Sequence, residues 1–321
     1  MKSIQELSKL ISDELERIEY PKNPSSLYEP IDYILGLGGK RMRPILVLMA
    51  HQLFDKNIEK AISPALAIEV FHNFSLLHDD IMDNAPLRRG QKTVHEKWNS
   101  NVAILSGDTM LVQAYQLMAE VDNTIVKQVL AVFSKAAIEV CEGQQRDMDF
   151  ETQSDVNLAD YLKMIEYKTA VLLGAALQIG GITAGASKEE QNHLYAFGRD
   201  LGIAFQLKDD LLDAFGDAET FGKQVGGDIM ANKKTYLYLK ALALADGTQR
   251  QNLEQYFSTN DTSELKVDGV RAIFSNLEIP DLTTNLIREY HARAMENLAA
   301  IDSENKEPLL AFSALLMDRV S

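Results

Sequence analysis

Apolar residues recur at spacings of three and four along most of the chain, whereas alternation with a period of two is scarce. Residues three or four positions apart share one side of an α-helix, because each turn takes about 3.6 residues. The stretch before the first acidic cluster shows this spacing at Leu66, Val70, Phe74, Leu77 and Ile81. The pattern predicts an all-α protein.

A few residues mark the expected helix boundaries. Ser63 and Pro64 are typical of a helix start, with serine as the cap and proline at the first helical position. The polar segment 83–101 predicts a loop, and the next helix is expected to begin near Val102. Later breaks are predicted near residues 180–188, 215–232 and 259–268.

None of these breaks has the length or low complexity of an interdomain linker. We therefore predict a single helical domain spanning residues 1–321. The longest uncharged run, residues 169–187, has the length of a membrane span but contains several glycines and Gln178, so it is only mildly hydrophobic. It is predicted to be a buried core helix, and no transmembrane segment is expected.

Composition and charge exclude several classes of protein. The 321 residues include 47 acidic and 32 basic side chains, which give a formal net charge of −15, and 46% of the residues are hydrophobic. A protein that binds nucleic acid by neutralising phosphates needs a basic surface, so nucleic acid is not an expected partner. The apolar fraction is typical of a folded globular protein rather than a disordered one.

Two features predict the cellular compartment. Cys141 is the only cysteine, so no intrachain disulfide can form, and a reducing compartment fits. The first twenty residues carry charges throughout and lack the apolar core of a signal peptide. We therefore expect a cytoplasmic protein.

The first of two aspartate clusters lies in an apolar segment with helical spacing. It holds Asp79, Asp80 and Asp83, and in a helix Asp79 and Asp83 lie one turn apart on the same side. His72 shares that side, either as a packed core histidine or as a phosphate ligand. Carboxylates this close repel one another unless a cation lies between them.

The second cluster repeats the pattern about 130 residues later. Gln206, Asp209, Asp210 and Asp213 occupy one side of a predicted helix. A single cluster of this kind is better explained as a solvated acidic helix surface. Two clusters within apolar sequence instead favour a magnesium site, because Mg²⁺ prefers carboxylate oxygens and is readily shared with substrate phosphates.

Basic residues occur in short groups near these aspartates. They are Lys40 and Arg43, then Arg88 and Arg89, then Lys168, and finally Lys223 and Lys233. Any one of them alone is explained as an ordinary surface cation. Together, in a net-acidic protein, they predict a charge-balanced pocket for a polyanion, because arginine grips phosphate with paired hydrogen bonds and lysine adds a point charge.

These motifs closely resemble those of the trans-isoprenyl diphosphate synthases, the polyprenyl synthetase family, and in particular its short-chain members. The resemblance extends from about Gly38 to Lys234 and is carried, in order, by GGKRMRP, LLHDDIMDNAPLRRG, EGQQRDM, YKTA, FQLKDDLLD and GKQVGGDIMANKKT. It implies an all-α fold, a single helical bundle around a central cavity with the two Asp-rich motifs facing each other across its mouth. It also implies a homodimer.

The resemblance assigns a role to each matching residue. Asp79, Asp83 and Asp209 would ligate three Mg²⁺ ions that bridge the diphosphate of an allylic substrate, with Asp80, Asp210 and Asp213 supporting them. Arg88, Lys168, Lys223 and Lys233 would hold the same diphosphate. Lys40, Arg43, His72 and Arg89 would bind the diphosphate of isopentenyl diphosphate. Lys168, Thr169 and Gln206 would be the catalytic residues, the last two stabilising the allylic cation.

Two details of this assignment stay open. Gln144 and Asp147 would line the same cavity without a defined role. The segment after Lys223 is one residue longer than in some farnesyl synthases, which leaves Lys233 and Lys234 as alternatives for the same position.

The implied reaction is head-to-tail prenyl transfer. Metal ions and cationic side chains would stabilise the negative charge that grows on the departing diphosphate, leaving an allylic cation. The double bond of isopentenyl diphosphate would attack this cation, and the released diphosphate would take the proton. Apolar helices would exclude the water that quenches the cation.

Product length would depend on side chains below the first motif. A helix rises about 1.5 Å per residue, so Ser75, Phe74 and Phe71 lie at increasing depth below Asp79. The resemblance points to Phe74 and Ser75 and predicts geranylgeranyl diphosphate, with farnesyl or somewhat longer prenyl diphosphates as alternatives. Phe71 fits a core packing role equally well.

Two other functions are considered. A class I terpene cyclase shares the magnesium-dependent helical chamber, but it has no second diphosphate to hold, and GGKRMRP therefore argues against it. A non-catalytic regulatory subunit of a synthase often lacks an Asp-rich motif, whereas both motifs are present in this chain.

Overall fold

The computed structural model of the chain describes residues 2–216 and 225–317, and within them nearly all regular structure is helical. The helices are α1 (Ile4–Glu16), α2 (Ser25–Gly36), α3 (Met42–Gln52), α4 (Glu59–Met82), α5 (Val94–Lys97), α6 (Ser100–Met118), α7 (Val126–Thr152), α8 (Leu158–Ile165), α9 (Val171–Thr183), α10 (Lys188–Phe215), α11 (Gly227–Met230), α12 (Tyr236–Leu244), α13 (Gly247–Phe257), α14 (Glu264–Asn276), α15 (Ile279–Ala300) and α16 (Glu307–Met317). Strands β1 (Leu87–Arg88) and β2 (Gln91–Lys92) pair antiparallel, and a π-helical segment (Glu166–Ala170) joins α8 to α9. The predicted all-α fold is confirmed.

The chain divides into two compact units. Unit 1 comprises Met1–Lys135, Ala175–Tyr195 and Ile301–Leu309. Unit 2 comprises Ala136–Gly174, Ala196–Ala300 and Leu310–Ser321. The single domain spanning residues 1–321 stays a prediction.

Local sequence explains where several helices begin. Helices α1, α8 and α13 each start with a capping box, in which the cap side chain and the third helical residue bond each other's backbone N–H groups. The three cap residues are Ser3, Asn157 and Asp246. These boxes satisfy N–H groups that a helix start otherwise leaves without partners.

In unit 1, helix α4 packs against α3 and α6 and carries the first aspartate cluster at its C-terminal end. The helix begins at Glu59, so the predicted start at Ser63 and Pro64 was wrong. The turn before them buries Ala61, and the Ser63 hydroxyl donates to the carbonyl of Leu117 at 2.8 Å instead of capping the helix. Tertiary packing therefore outweighs the hydrogen bond lost at a proline inside a helix.

The segment predicted as a loop, residues 83–101, contains more structure than expected. It holds the hairpin of β1 and β2 and the short helix α5. Helix α6 then begins at Ser100, two residues before the predicted start, because the side chain of Asn99 accepts a hydrogen bond from the Val102 N–H at 2.9 Å.

The uncharged run of residues 169–187 includes α9, whose side chains are largely buried, so the predicted core helix is confirmed. In unit 1 the end of this helix is tied to α3, where buried His51 lies 2.8 Å from the hydroxyl of Thr183. In the part of the chain that the structure describes, no helix has both the length and the apolar character needed to span a bilayer.

The core of unit 2 gathers apolar residues from α8, α12, α14 and α15. Helix α14 illustrates the pattern, with Val267, Val270 and Phe274 buried at spacings of three and four. The same core includes Ala170 of the π-helical segment and Leu207 of α10. It therefore supports the two stretches of unit 2 that carry the predicted catalytic residues.

Candidate active site

The first aspartate cluster lies at the end of α4, in unit 1. Asp83 follows Asp79 by one helical turn, and its backbone N–H donates to the Asp79 carbonyl at 2.9 Å. The side chain of Asp80 is instead buried: it is only 3% exposed and accepts two hydrogen bonds from Arg88, at 2.7 and 2.8 Å. This bidentate pair compensates the buried carboxylate and fixes the guanidinium of Arg88 beside the cluster.

The hairpin after α4 brings Arg89 back to the GGKRMRP segment. Its guanidinium lies so close to the backbone of Gly39 that a Cβ atom at residue 39 would be 2.7 Å from the nearest nitrogen. Gly39 also has a φ of +132°, which disfavours any residue with a side chain. The two motifs therefore meet in space, as expected if Arg89 and the neighbouring Lys40 serve one ligand.

Four arginines of unit 1 lie close enough to His72 or to one another to interact electrostatically: Arg41, Arg43, Arg88 and Arg89. We call them the arginine group. The Nη1 atom of Arg43 lies 3.1 Å from Nε2 of His72. Burial, and then the positive charges of Arg43, Arg89 and Arg88, hold the pKa of His72 well below its usual value. The ring is therefore neutral at neutral pH and accepts the hydrogen bond from Arg43. Burial lowers the pKa of Arg43 to about 10, which still leaves it charged.

The second aspartate cluster lies on α10, in unit 2. Asp210 is 5% exposed and accepts hydrogen bonds from the hydroxyl of Tyr161 and, at 3.2 Å, from the Gln206 amide. Burial, assisted by the charges of Asp228 and Asp209, raises the pKa of Asp210 to about 7 against the effect of these two hydrogen bonds. Asp210 is therefore held in place by donors inside the protein.

Asp213, Lys233 and Lys234 form contacts that hold the segment after α10 in unit 2. The Oδ1 atom of Asp213 accepts a hydrogen bond from the backbone N–H of Asp228 at 2.9 Å. Lys233 extends to the carboxylate of Asp228 at 3.3 Å and remains largely exposed. Lys234 instead donates to the carbonyl of Phe150 at the end of α7, at 2.6 Å, which favours Lys233 as the ligand-binding residue. The remaining predicted cation, Lys223, lies outside the described residues.

The predicted catalytic residues Lys168 and Thr169 lie in the π-helical segment of unit 2. Such segments are rare and often occur at functional sites. Glycines allow two helices to touch it: a Cβ atom on Gly143 of α7 would be 2.2 Å from the Lys168 nitrogen, and one on Gly202 of α10 would be 2.7 Å from Cα of Ala170. The irregular backbone is therefore held by close packing on two sides.

The side chains of Lys168 and Thr169 link this segment to α7 and α10 by hydrogen bonds. The Lys168 ammonium donates to Asp147 at 2.6 Å, and the Thr169 hydroxyl donates to Oε1 of Gln206 at 3.2 Å. Since Gln206 also bonds to Asp210, these groups form one network in unit 2. The Nε2 atom of Gln144 is buried and has no hydrogen-bond partner within residues 2–216 and 225–317.

The candidate chain-length residues lie in an aromatic cluster of unit 1. Phe71 is 1% exposed and packs edge-on against Phe133 of α7, with ring centroids 5.3 Å apart. Phe74 contacts both Phe71, at 5.6 Å, and His78, at 4.8 Å. The hydroxyl of Ser75 donates to the carbonyl of His72 at 2.8 Å. Phe71 therefore has the contacts of a core residue.

The donor chemistry of both clusters fits magnesium. Within the described ranges, no three His, Cys, Asp or Glu side chains are already grouped as a metal site. Mg²⁺ does not require such a cage, because it keeps several waters and is bound through one or two carboxylates together with substrate phosphates. Asp79 in the last turn of α4 and Asp83, the residue that caps its C-terminal end, fit such a pair of ligands.

Sequence reasoning missed two side chains of the site. Tyr161, which bonds to Asp210, lies 49 positions from it, and nothing in its local sequence marks it. Glu69 is a buried carboxylate on α4 that contacts Arg41. The signal for Glu69 was present, because a single acid in the apolar run 65–71 requires a compensating partner.

An all-α fold with two Asp-rich helical segments, each followed by basic residues, defines the class of the isoprenoid synthases. The family model named polyprenyl synthetase matches residues 24–274. The chain belongs to the polyprenyl synthetase family, a family of prenyltransferases, as its motifs predict.

The similarity to the individual proteins named here covers between 68% and 100% of the chain. A geranylgeranyl diphosphate synthase from Methanosarcina mazei is 42% identical over 220 residues, which cover 68% of each protein. A geranylgeranyl pyrophosphate synthase from Geoglobus acetivorans is 34% identical over 319 residues, 98% of each protein. A crystal structure of a geranylgeranyl pyrophosphate synthase matches 100% of both chains at 46% identity, with a TM-score of 0.95.

Proposed function

We propose that this protein condenses isopentenyl diphosphate with an allylic diphosphate, head to tail, and that its main product is geranylgeranyl diphosphate. The observation that carries the proposal is the group of Arg43, Arg89 and neutral His72 in unit 1. These groups bind an anion without metal ligands, because guanidiniums supply both charge and paired hydrogen bonds. A terpene cyclase has no use for such a second diphosphate site.

The allylic diphosphate is assigned to the aspartates and their neighbouring cations. We propose that Asp79, Asp83 and Asp209 ligate magnesium, three ions in all as the family resemblance implies. Asp80, Asp210 and Asp213 support these ligands, and Arg88, Lys168, Lys223 and Lys233 hold the diphosphate. The bidentate bond from Arg88 to Asp80 supports this assignment, because it fixes the guanidinium at the first aspartate cluster.

The protein's own side chains then act on the reacting atoms. When bound, magnesium would neutralise charge on the departing diphosphate. Lys168 donates hydrogen bonds to the same leaving group, and the oxygens of Thr169 and Gln206 face the positive charge left on the allyl carbon. Lys40, Arg43, His72 and Arg89 hold isopentenyl diphosphate while its double bond attacks. The released diphosphate accepts the proton.

Geranylgeranyl diphosphate is proposed as the product from two observations. The relatives from Methanosarcina mazei and Geoglobus acetivorans carry that product in their names. The first Asp-rich motif of this chain is preceded by one large ring, Phe74, and the small Ser75. Phe74 is therefore proposed as the main stop for the growing chain.

A homodimer and a cytoplasmic location complete the proposal. Helix α6 exposes Leu105 and Val112, which are 59% and 61% exposed and lie two turns apart on one side. We call these two residues the exposed strip of α6 and propose a second copy of this chain as the partner that covers them. The cytoplasm is proposed because Cys141, the single cysteine, fits a reducing compartment.

Product analysis tests the whole proposal. The protein is incubated with radiolabelled isopentenyl diphosphate and allylic primers of five, ten or fifteen carbons, with magnesium or with EDTA. We expect geranylgeranyl diphosphate from each primer and no product in EDTA. Release of diphosphate and a hydrocarbon from an allylic primer alone would identify a cyclase instead. Turnover only after a partner protein is added would identify a regulatory subunit.

A further inference from the structure

Glu69 is a buried carboxylate beside the arginine group of unit 1. It lies on α4, three residues before His72, and is 2% exposed. Its Oε1 atom accepts hydrogen bonds from Asn73 at 3.1 Å and from Arg41 at 3.4 Å. A buried carboxylate is costly unless cations and hydrogen bonds compensate it, so its presence within an apolar helix requires a physical reason.

Hydrogen bonding alone does not supply that reason. The other carboxylate oxygen of Glu69, Oε2, is buried and has no hydrogen-bond partner among residues 2–216 and 225–317. Most buried polar atoms in folded proteins are satisfied. The side chain is thus poorly solvated by its surroundings, which points to its charge, rather than its hydrogen bonds, as the property that the site uses.

The charge of Glu69 acts on three guanidiniums. Arg41 pairs with it directly, and the Arg41 side chain is 10% exposed. Burial lowers the pKa of Arg43 and of Arg89, and the negative charge of Glu69 opposes that fall in both. One carboxylate therefore serves three buried or half-buried cations and leaves a surplus of positive charge for an anion.

We propose that Glu69 is the internal counter-ion of the isopentenyl diphosphate site. While no diphosphate is bound, its charge holds the three arginines together against their mutual repulsion. When a diphosphate binds, the same charge repels it and keeps the binding reversible. Glu69 is thus a positioning residue that stabilises the free protein and lowers the affinity for diphosphate. This inference rests on the function proposed above for the arginine group.

The variant Glu69→Gln tests both effects, because the amide keeps the shape and one acceptor oxygen but removes the charge. Loss of the charge should destabilise the free protein and raise its affinity for diphosphate. Melting temperature is measured by scanning fluorimetry, and the Kd for inorganic pyrophosphate by calorimetry. Both use EDTA, so that metal-dependent binding at the aspartates does not contribute. We expect a lower melting temperature for the free variant and pyrophosphate binding that is tighter by on the order of 10-fold.

Two variants serve as controls. Glu69→Asp retains the charge, so its pyrophosphate Kd should stay near the wild-type value even where its melting temperature falls. Glu14→Gln removes a carboxylate from an exposed pair with Arg17 and should change neither quantity. If Glu69→Gln does not fold alone, saturating pyrophosphate should restore its folding, because the anion replaces the missing charge.

Three results would overturn the inference. The first is unchanged or weaker pyrophosphate binding by Glu69→Gln, which would leave Glu69 with a packing role. The second is a variant that stays unfolded in saturating pyrophosphate. The third is a wild-type protein that binds no pyrophosphate in EDTA, and this result alone would also contradict the proposed function of the arginine group.

Discussion

A neutral His72 allows three arginines to share a small volume in unit 1. A protonated ring would place a further positive charge beside those of Arg43, Arg88 and Arg89. Burial would leave that charge poorly solvated. The neutral ring instead accepts a hydrogen bond from Arg43. The sequence left two interpretations of this histidine, a packed core residue or a phosphate ligand, and in the structure it is half-buried and bonded to Arg43.

Replacing His72 should change the dependence of stability on pH. Below about pH 6.5 the unfolded state protonates this histidine while the folded state does not, so wild-type stability falls as the pH drops. The variant His72→Gln lacks this group and should lose less stability between about pH 6.5 and pH 5. Urea unfolding at several pH values measures the difference, and parallel curves for the two proteins would contradict it. Burial also lowers the pKa of His51, so part of the wild-type slope should persist.

The variant Phe74→Ala should lengthen the product. Removing the ring opens space beside α4 about one and a half turns before Asp79, and the growing chain then extends further before it is blocked. The variant Phe71→Ala is the matched control, because Phe71 packs against Phe133 in the core and its loss should lower stability by about 3–5 kcal/mol without changing the product. Chromatography of the prenyl alcohols compares the products. Longer products from Phe71→Ala alone would assign the stop to that residue.

At the scale of elements, the π-helical segment gives Lys168 and Thr169 their positions. A π-helical segment contains an extra residue in its turn, so the two side chains are offset from where a regular helix would place them. Gly143 lets α7 approach the segment at Lys168. The sequence YKTA identified these residues by resemblance, but the glycine that supports them is 25 positions away in sequence.

The variant Gly143→Ala should displace this segment. The added Cβ atom would lie 2.2 Å from the Lys168 nitrogen, which forces the backbone to move. We expect a loss of about 1–3 kcal/mol in the free energy of unfolding and a fall in kcat of at least roughly tenfold, because small misplacements of reacting groups are costly. The control is Gly247→Ala in α13, where an added Cβ meets nothing within 4 Å and both quantities should change little. Wild-type kcat in Gly143→Ala would contradict the role of this packing.

At the scale of the whole molecule, the exposed strip of α6 predicts the oligomeric state. The double variant Leu105→Glu and Val112→Glu places two charges on the proposed interface and should convert a dimer to a monomer, because buried unpaired carboxylates are costly. Sedimentation velocity measures the mass. Leu265→Glu is the control, since Leu265 of α14 is 82% exposed without belonging to that strip. A double variant that remains dimeric would place the interface elsewhere.

The sequence by itself determined the helical class, the order of the motifs and the family. Helical periodicity and acidic spacing are local properties, because they depend on residues within one or two turns of each other. Asp79 and Asp83 share a side of α4 for that reason alone. The basic residues were identified by their place in ordered motifs, which is also a property of the chain rather than of its packing.

Tertiary structure decided which of these groups act on one another. Pro64 lies inside a helix because packing outweighs a local start signal. Arg89 meets Gly39, and Tyr161 meets Asp210, across 50 and 49 positions of chain. Contacts of this kind leave no periodic trace, because burial and hydrogen bonding select partners by distance in space. The charge state of His72 and the partners of Glu69 depend on such contacts, and only the folded chain brings them together.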